Sequence, residues 1–363
     1  MSGTISKYET KDGPRYRVQY RKPDKSVTGK RGFKTKKEAS LYLASVTITK
    51  ATGEYVDPSL GRRTVSVFAT QWERSHLPTL KPSSQEGMRS SYRTHVEPKW
   101  GGRSVAGIRP SELEDWVGEL SGQRAAQTVR RAAFVLNQIL AIAERDRVIP
   151  RNPMAGVKLP KKKRKPQRYL THDQVETIAA GAAHPNLVRF LAYTGLRWGE
   201  AVELQVGDLN MLRRRLTVER NAVYVRGQYV VGTPKTGERR EVAMPHFLVG
   251  DLARACEGKP RSGFVFGDGG AQLPYPHATS GWFQAAVKAA QLIDATIPRV
   301  TPHDLRHTAA SLAIQAGANV KAVQRMLGHS SAAMTLDVYA DLFDEDLDTV
   351  AEAMSAARAK SVS

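Results

Sequence analysis

Five consecutive cations, Lys161-Lys162-Lys163-Arg164-Lys165, stand between Pro160 and Pro166, and no packed core can hold them. Burying that many like charges without partners is prohibitive, and the prolines remove backbone donors at both ends. Residues 161–168 therefore read as an extended basic linker, and the chain must fold as separate bodies on either side of it. With 363 residues there is room for two or three domains of roughly 100–200 residues each. A second change of composition falls near residue 63. The expected division is 1–63, 64–160, the linker 161–168 and 169–363.

The first body is short-stranded and basic, with 15 Lys/Arg against 6 Asp/Glu in residues 1–63. Within it Arg15-Tyr16-Arg17-Val18-Gln19-Tyr20-Arg21 alternates strictly. As a strand it places Tyr16, Val18 and Tyr20 on one face and Arg15, Arg17, Gln19 and Arg21 on the other. Thr35-Lys36-Lys37-Glu38 has the form of a capping box opening a helix through Ala39, Leu41, Tyr42 and Leu43, which can cover the apolar face. The open face, with Arg15, Arg17 and Arg21, would then suit a ribbon laid against nucleic acid.

Residues 64–160 carry helical spacing throughout. Phe68 and Trp72 lie four apart, as do Met88, Tyr92 and Val96. Pro110-Ser111-Glu112-Leu113 opens another helix bearing Trp116, Val117 and Leu120. A long one over 125–147 aligns Val129, Ala133, Leu136, Leu140 and Ile142. Such stripes build the core of a small bundle. DNA contacts from this body should come from the outer-face arginines Arg89, Arg93, Arg124, Arg130 and Arg131.

Charge and composition narrow the function. Lys plus Arg number 55 against 35 Asp plus Glu, a net charge of +20, which favours a polyanionic partner. No signal peptide is evident, and the longest apolar run, residues 132–143, falls well short of the roughly 18 residues a spanning helix needs. A cytoplasmic location in a bacterial host, close to the nucleoid, is expected, with no membrane partner. The single cysteine, Cys256, cannot form an internal disulfide. Neither zinc spacing nor a phosphate-cradling glycine loop occurs, so no metal and no cofactor is expected.

Four short pieces of the third body concentrate chemistry. They are Thr194-Gly195-Leu196-Arg197-Trp198-Gly199-Glu200, Pro234-Lys235-Thr236-Gly237 read as a hairpin tip, His303-Asp304-Leu305-Arg306-His307-Thr308, and Leu327-Gly328-His329 with Tyr339 ten residues on. At these residues the sequence resembles the tyrosine recombinase (phage integrase) family, with the order Arg, Lys, His-x-x-Arg, His, Tyr intact. The resemblance spans nearly all of the third body. It extends more loosely to the second, which looks like a core-binding domain, and to the first, which is similar to an arm-binding domain. It implies a multidomain, mainly α fold with small β elements. A three-stranded sheet with one helix comes first, then a helical-bundle core-binding domain, then a mixed α/β catalytic domain.

The residues suit the reaction so implied, the breaking and rejoining of DNA through a 3′-phosphotyrosyl link. Attack on a phosphodiester adds negative charge to its equatorial oxygens, and Arg197 and Arg306 can fork those oxygens while remaining charged. The resemblance makes Tyr339 the nucleophile and His303 its proton acceptor. A phenol needs such help, because its free pKa lies near 10. Lys235 would deliver a proton to the leaving 5′ oxygen, His329 would hydrogen-bond the phosphate, and Glu200 would orient the site. His307, beside the motif, reads as structural. Tyr339 reads as lying in a polar, loop-prone region.

Further expectations concern partners. Residues Lys161, Lys162, Lys163 and Arg164 should follow a DNA backbone. The duplex should carry core-type and arm-type sites, and an excision factor and a host DNA-bending protein are possible partners. Phe343, Leu347, Val350, Ala351 and Met354 recur at helical spacing. In the family such a terminal helix is often given to a neighbouring protomer, which implies a homotetramer on DNA. The competing readings are a type IB topoisomerase, which relaxes supercoils without sequence preference, and a catalytically idle DNA-binding regulator.

Overall fold

The computed structural model describes residues 3–52, 55, 60–162, 167–234, 239–339, 342 and 347–362. It divides into two compact units, Met1–Arg164 and Lys165–Ser363.

The first unit begins with an antiparallel sheet of β1 (Thr4–Thr10), β2 (Gly13–Arg21) and β3 (Val27–Phe33), in that order. The alternation in β2 has the expected effect, burying Val18 and Tyr20 while Arg17, Gln19 and Arg21 stay exposed. Helix α1 (Lys36–Ala51) covers the apolar face, and its start is fixed by Thr35 Oγ1 accepting the Glu38 N–H at 3.1 Å. Its buried stripe runs through Ala39 and Val46, with Tyr42 and Leu43 partly covered. Leu41, expected in that stripe, faces solvent at 63 % exposure. Its neighbours Tyr42 and Leu43 fall closer to the Ala39 direction on a 3.6-residue turn.

A separate helical core is formed by α2 (Val65–Ser75), α3 (Pro82–Ser91), a π-helical turn (Tyr92–Val96), α4 (Glu97–Trp100), α5 (Pro110–Gln123) and α6 (Ala126–Arg145). Phe68, Trp72, Leu113, Leu136 and Leu140 are fully buried, and the Trp100 and Trp116 rings meet edge to face at 5.9 Å. The helix expected through Met88, Tyr92 and Val96 forms as an unbroken helical run from Pro82 to Trp100, widened by the π turn at Tyr92–Val96.

The second unit contains α7 (His172–Ala180), α8 (Pro185–Thr194), α9 (Trp198–Val202), β4 (Leu209–Asn210), β5 (Arg215–Val218), β6 (Asn221–Val225), β7 (Gln228–Gly232), β8 (Arg240–Ala243), α10 (His246–Cys256), α11 (Trp282–Ile293), α12 (Asp304–Gln315), α13 (Val320–Leu327), α14 (Ala332–Tyr339) and α15 (Leu347–Val362). Thr171 caps α7 in the expected box with Gln174. Two small sheets form, β4-β5-β8 and β6-β7, both antiparallel. Of residues 234–237, read as a hairpin tip, 235–237 lie outside the described residues; the strands on either side, β7 and β8, belong to different sheets. Phe190, Leu191, Phe283 and Leu305 lie in the main core, and a smaller cluster joins Ala310, Ile314, Val323, Leu327 and Tyr339. Among the described residues, no helix is long and apolar enough to cross a membrane.

Candidate active site

The site starts from two left-handed glycines. Gly195 (φ 66°) ends α8 and Gly328 (φ 63°) ends α13, and both helices thereby turn their last carbonyls toward α12. Arg306 on α12 takes up those carbonyls. Its guanidinium donates to the oxygens of Gly195 and Leu327, each at 2.6 Å. The start of α12 is held by Asp304, whose carboxylate accepts from the Thr301 N–H and hydroxyl at 2.7 and 2.8 Å. Arg306 is 4 % exposed. Burial, with the nearby charges of Arg197 and Arg240, lowers its pKa to about 9, so it remains charged at neutral pH.

Gly195 also redirects the chain so that Arg197 opens α9. Glu200, 1 % exposed, accepts the Arg197 N–H at 3.0 Å and the Arg197 guanidinium at 2.9 Å. Arg240 at the start of β8 grips the same carboxylate with two N–H groups, at 3.1 and 2.6 Å. Burial alone would raise the Glu200 pKa, but the hydrogen bonds and charges of Arg240, with those of Arg197, leave it lowered. The close approach of α9 to β6 depends on Gly199, since a Cβ there would fall 2.1 Å from the Ala222 oxygen.

Arg197 and Arg240 thus bind one carboxylate, and Arg306 lies near enough for the charges of all three to act on it. The excess positive charge is what a phosphoryl group would neutralise. His329 comes directly after Gly328, and a Cβ on Gly328 would lie 2.9 Å from the Arg240 side chain. The His329 ring bonds the Thr335 hydroxyl through Nδ1 at 3.0 Å. Burial, then the charges of Arg306 and Arg197, lower its pKa to about 4, so the imidazole is neutral at pH 7.

Tyr339 stands at the end of α14, 1 % exposed, against Tyr169 and His307. Its hydroxyl lies 2.8 Å from His307 Nδ1. Burial raises the phenol pKa, and the charge of Arg306 opposes this only in part. His307 is pushed down to about 4 by burial and by neighbouring His303. A protonated phenol beside a neutral imidazole assigns the hydrogen bond as O–H donating to Nδ1. His303, exposed at the start of α12, places its ring edge-on to His307 with centroids 5.2 Å apart.

Comparison with known proteins fits this arrangement. A model described as the phage integrase family matches residues 168–346, and one described as the phage integrase central domain matches residues 65–159. This chain belongs to the tyrosine recombinase (phage integrase) family. A tyrosine recombinase of Thermosipho africanus is 26% identical over 257 residues, covering 68% of this chain and 84% of the relative. The fold is also that of solved recombinases. The Tn1549 transposon integrase in complex with transposon right end DNA superposes with a TM-score of 0.66 at 22% identity, covering 80% of this chain and 100% of that one. A lambda integrase tetramer bound to a Holliday junction gives 0.59 at 17% identity, covering 90% and 96%.

In this recombinase Arg197, Glu200, Arg306 and His329 come together as one cluster, whereas Tyr339 is buried with its hydroxyl on His307. His303 packs edge-on against His307, which in turn bonds Tyr339. The expectation of a polar, loop-prone setting for Tyr339 is overturned, because the apolar faces of α12 and α13 enclose it. Lys235 lies outside the described residues, as do Lys163 and Arg164. Lys161 and Lys162 are exposed. Arg17 and Arg21 are exposed on β2, Arg15 is half-buried, and Arg17 Nε donates to Ser6 Oγ at 2.7 Å. Two members of the site are not legible in the sequence. Arg240 reads there only as a cation near Lys235, and His307 reads as structural although it holds the tyrosine.

Proposed function

We propose that this recombinase cuts and rejoins DNA at the attachment sites of a mobile element, with Tyr339 as nucleophile. The observation that carries this is a cluster of three arginines, Arg197 and Arg240 on the buried Glu200 carboxylate and Arg306 beside them, next to a histidine that precedes the tyrosine by ten residues. Arg197 and Arg306 hold the phosphate oxygens, while Glu200 and Arg240 fix Arg197 in place. The Tyr339 oxygen bonds to phosphorus, its proton passes to a histidine, and the bond to the 5′ oxygen breaks as Lys235 supplies that oxygen with a proton. His329 donates to the phosphate. The 3′-phosphotyrosyl link keeps the energy of the broken bond, so a 5′ hydroxyl from another strand can displace the tyrosine without metal or ATP.

His307 supports a modification of the expected proton path. It touches the phenol at 2.8 Å and is neutral, so it is the nearer acceptor, with His303 behind it. Burial keeps the phenol protonated, so attack requires Tyr339 to leave this pocket or DNA to reshape it. Assembly as a tetramer on paired duplexes is supported by the fold shared with the lambda integrase tetramer. Donation of α15 to a neighbour, an excision factor, a host bending protein and action in the nucleoid of a bacterial host belong to the same reading. Relaxation in the manner of a type IB topoisomerase finds no support in the relatives.

A nicked suicide duplex bearing the core site, incubated in EDTA, tests the nucleophile and the metal-free chemistry together. Wild-type protein should form a covalent adduct and Tyr339→Phe should form none. An adduct with the Phe variant would exclude Tyr339, and a requirement for added metal would exclude the proposed mechanism.

A further inference from the structure

The helical body of the first unit has a polar pocket of about 290 Å³, lined by Gly87, Ser90, Ser91, His95, Gln127, Thr128 and Arg131. We propose that this pocket seats one phosphodiester of the DNA backbone. The proposal rests on the recombinase reading only in taking DNA as the source of the phosphate.

Four observations converge on an anionic occupant. First, the pocket is built on the N-terminus of α6, a 20-residue helix that has no side-chain cap and no acidic residue in its first turn. Thr128 and Val129 donate their N–H groups to the Ala125 oxygen, which leaves the amides of Ala126 and Gln127, with the positive end of the dipole, for an anion. Second, Ser91 lines the pocket and is 6 % exposed, yet its Oγ is buried without a hydrogen-bond partner. An orphaned buried hydroxyl carries a desolvation cost that a phosphate oxygen would remove.

Third, the arginines of this body divide into two groups. Arg89 pairs with Glu73 and Glu86, and Arg93 pairs with Glu86, so their charge is already met within the protein. Arg131 has no carboxylate partner among the described residues. Its guanidinium lies over Gly87, 3.6 Å from where a Cβ would project, which is ordinary van der Waals contact. Fourth, no carboxylate lines the pocket, while the field of Arg124 reaches it. His95 has its pKa lowered, first by burial and then by Arg124. A guanidinium, helix amides and two serine hydroxyls form a donor set for tetrahedral oxygens.

The test uses the full-length protein with a random-sequence duplex and with a duplex bearing its own core site, over a range of salt concentrations. Arg131→Ala should weaken binding to both duplexes by the same factor. It should also reduce the slope of log affinity against log salt by about 1, the signature of one lost phosphate contact. Ser91→Ala should weaken both duplexes equally without lowering Tm, which separates a ligand role from a packing role. Unchanged affinity and slope in Arg131→Ala would overturn the proposal. So would a loss confined to the core-site duplex, which indicates base reading. A third contrary outcome is inorganic phosphate stabilising wild type but not Arg131→Ala while the DNA slopes coincide, which indicates a small-anion site. The recombinase reading fails by a different signal, the absence of a Tyr339 adduct in the wild type.

Discussion

At the scale of single residues, Glu200 is the pivot of the site because two arginines share its four acceptor positions. Removing one partner of a buried ion pair typically costs about 3–5 kcal/mol, since the other charge is left uncompensated. Glu200→Ala and Arg240→Ala should therefore each destabilise the protein by roughly 3 kcal/mol, and the double variant by at least ~1 kcal/mol less than their sum. Urea unfolding measures this directly, and strict additivity would mean that the pair does not act as a unit. His307 and His329 make a pH prediction. Each falls from 6.5 to about 4 in the folded protein. Between those values the unfolded chain binds the protons and the folded one does not, so stability is fully present above pH 6.5 and is lost as pH falls toward 4. Tm should drop across that window, and His307→Asn should flatten part of the drop. A Tm independent of pH from 7 to 4.5 would contradict the depressed values. Arg197, Arg306 and His329 are legible in the sequence because their local motifs are short and contiguous. Arg240 is not, because its role exists only through Glu200, 40 residues away in sequence.

At the scale of elements, caps and alternation are readable from sequence, whereas pairing is not. Thr35, Thr171 and the β2 alternation depend on contacts within a few residues and appear as expected. Whether β8 pairs with β7 or with β5 is decided by burial of Leu216 and Val242 against the main core, which no local pattern reveals. The element most exposed to a single change is the α8–α9 turn. Gly195 adopts φ 66°, and a Cβ there would sit 2.8 Å from Leu327 Cδ2, on a side chain with no solvent to move into. Gly195→Ala should cost at least ~2 kcal/mol from backbone strain and overpacking combined. Because the Gly195 carbonyl also receives Arg306, adduct formation should fall along with the urea midpoint. A variant that keeps both would show that the turn can relax without disturbing the phosphate-binding arginines.

At the scale of the whole molecule, we propose that the segment C-terminal to Tyr339 governs its release from the pocket. Tyr339 ends α14, and within a few residues the chain enters α15, whose described side chains, Met354 among them at 69 % exposure, face solvent. We propose that a second copy of the chain covers α15, on which Met354 is exposed. If α15 docks on a neighbour, the pull on residues 340–346 would draw Tyr339 out of the pocket it shares with His307, so that attack and assembly become one event. Deletion of residues 342–363 should then leave affinity for a single core site near the wild-type value. Strand exchange should fall by an order of magnitude or more, because losing correct placement of a nucleophile by about 1 Å already costs ~100-fold. Gel-shift titration and a strand-exchange assay on paired sites measure the two quantities separately. Strand exchange at the wild-type rate in the truncated protein would place control of Tyr339 within its own domain, with His307, Tyr169 and the α12–α13 core.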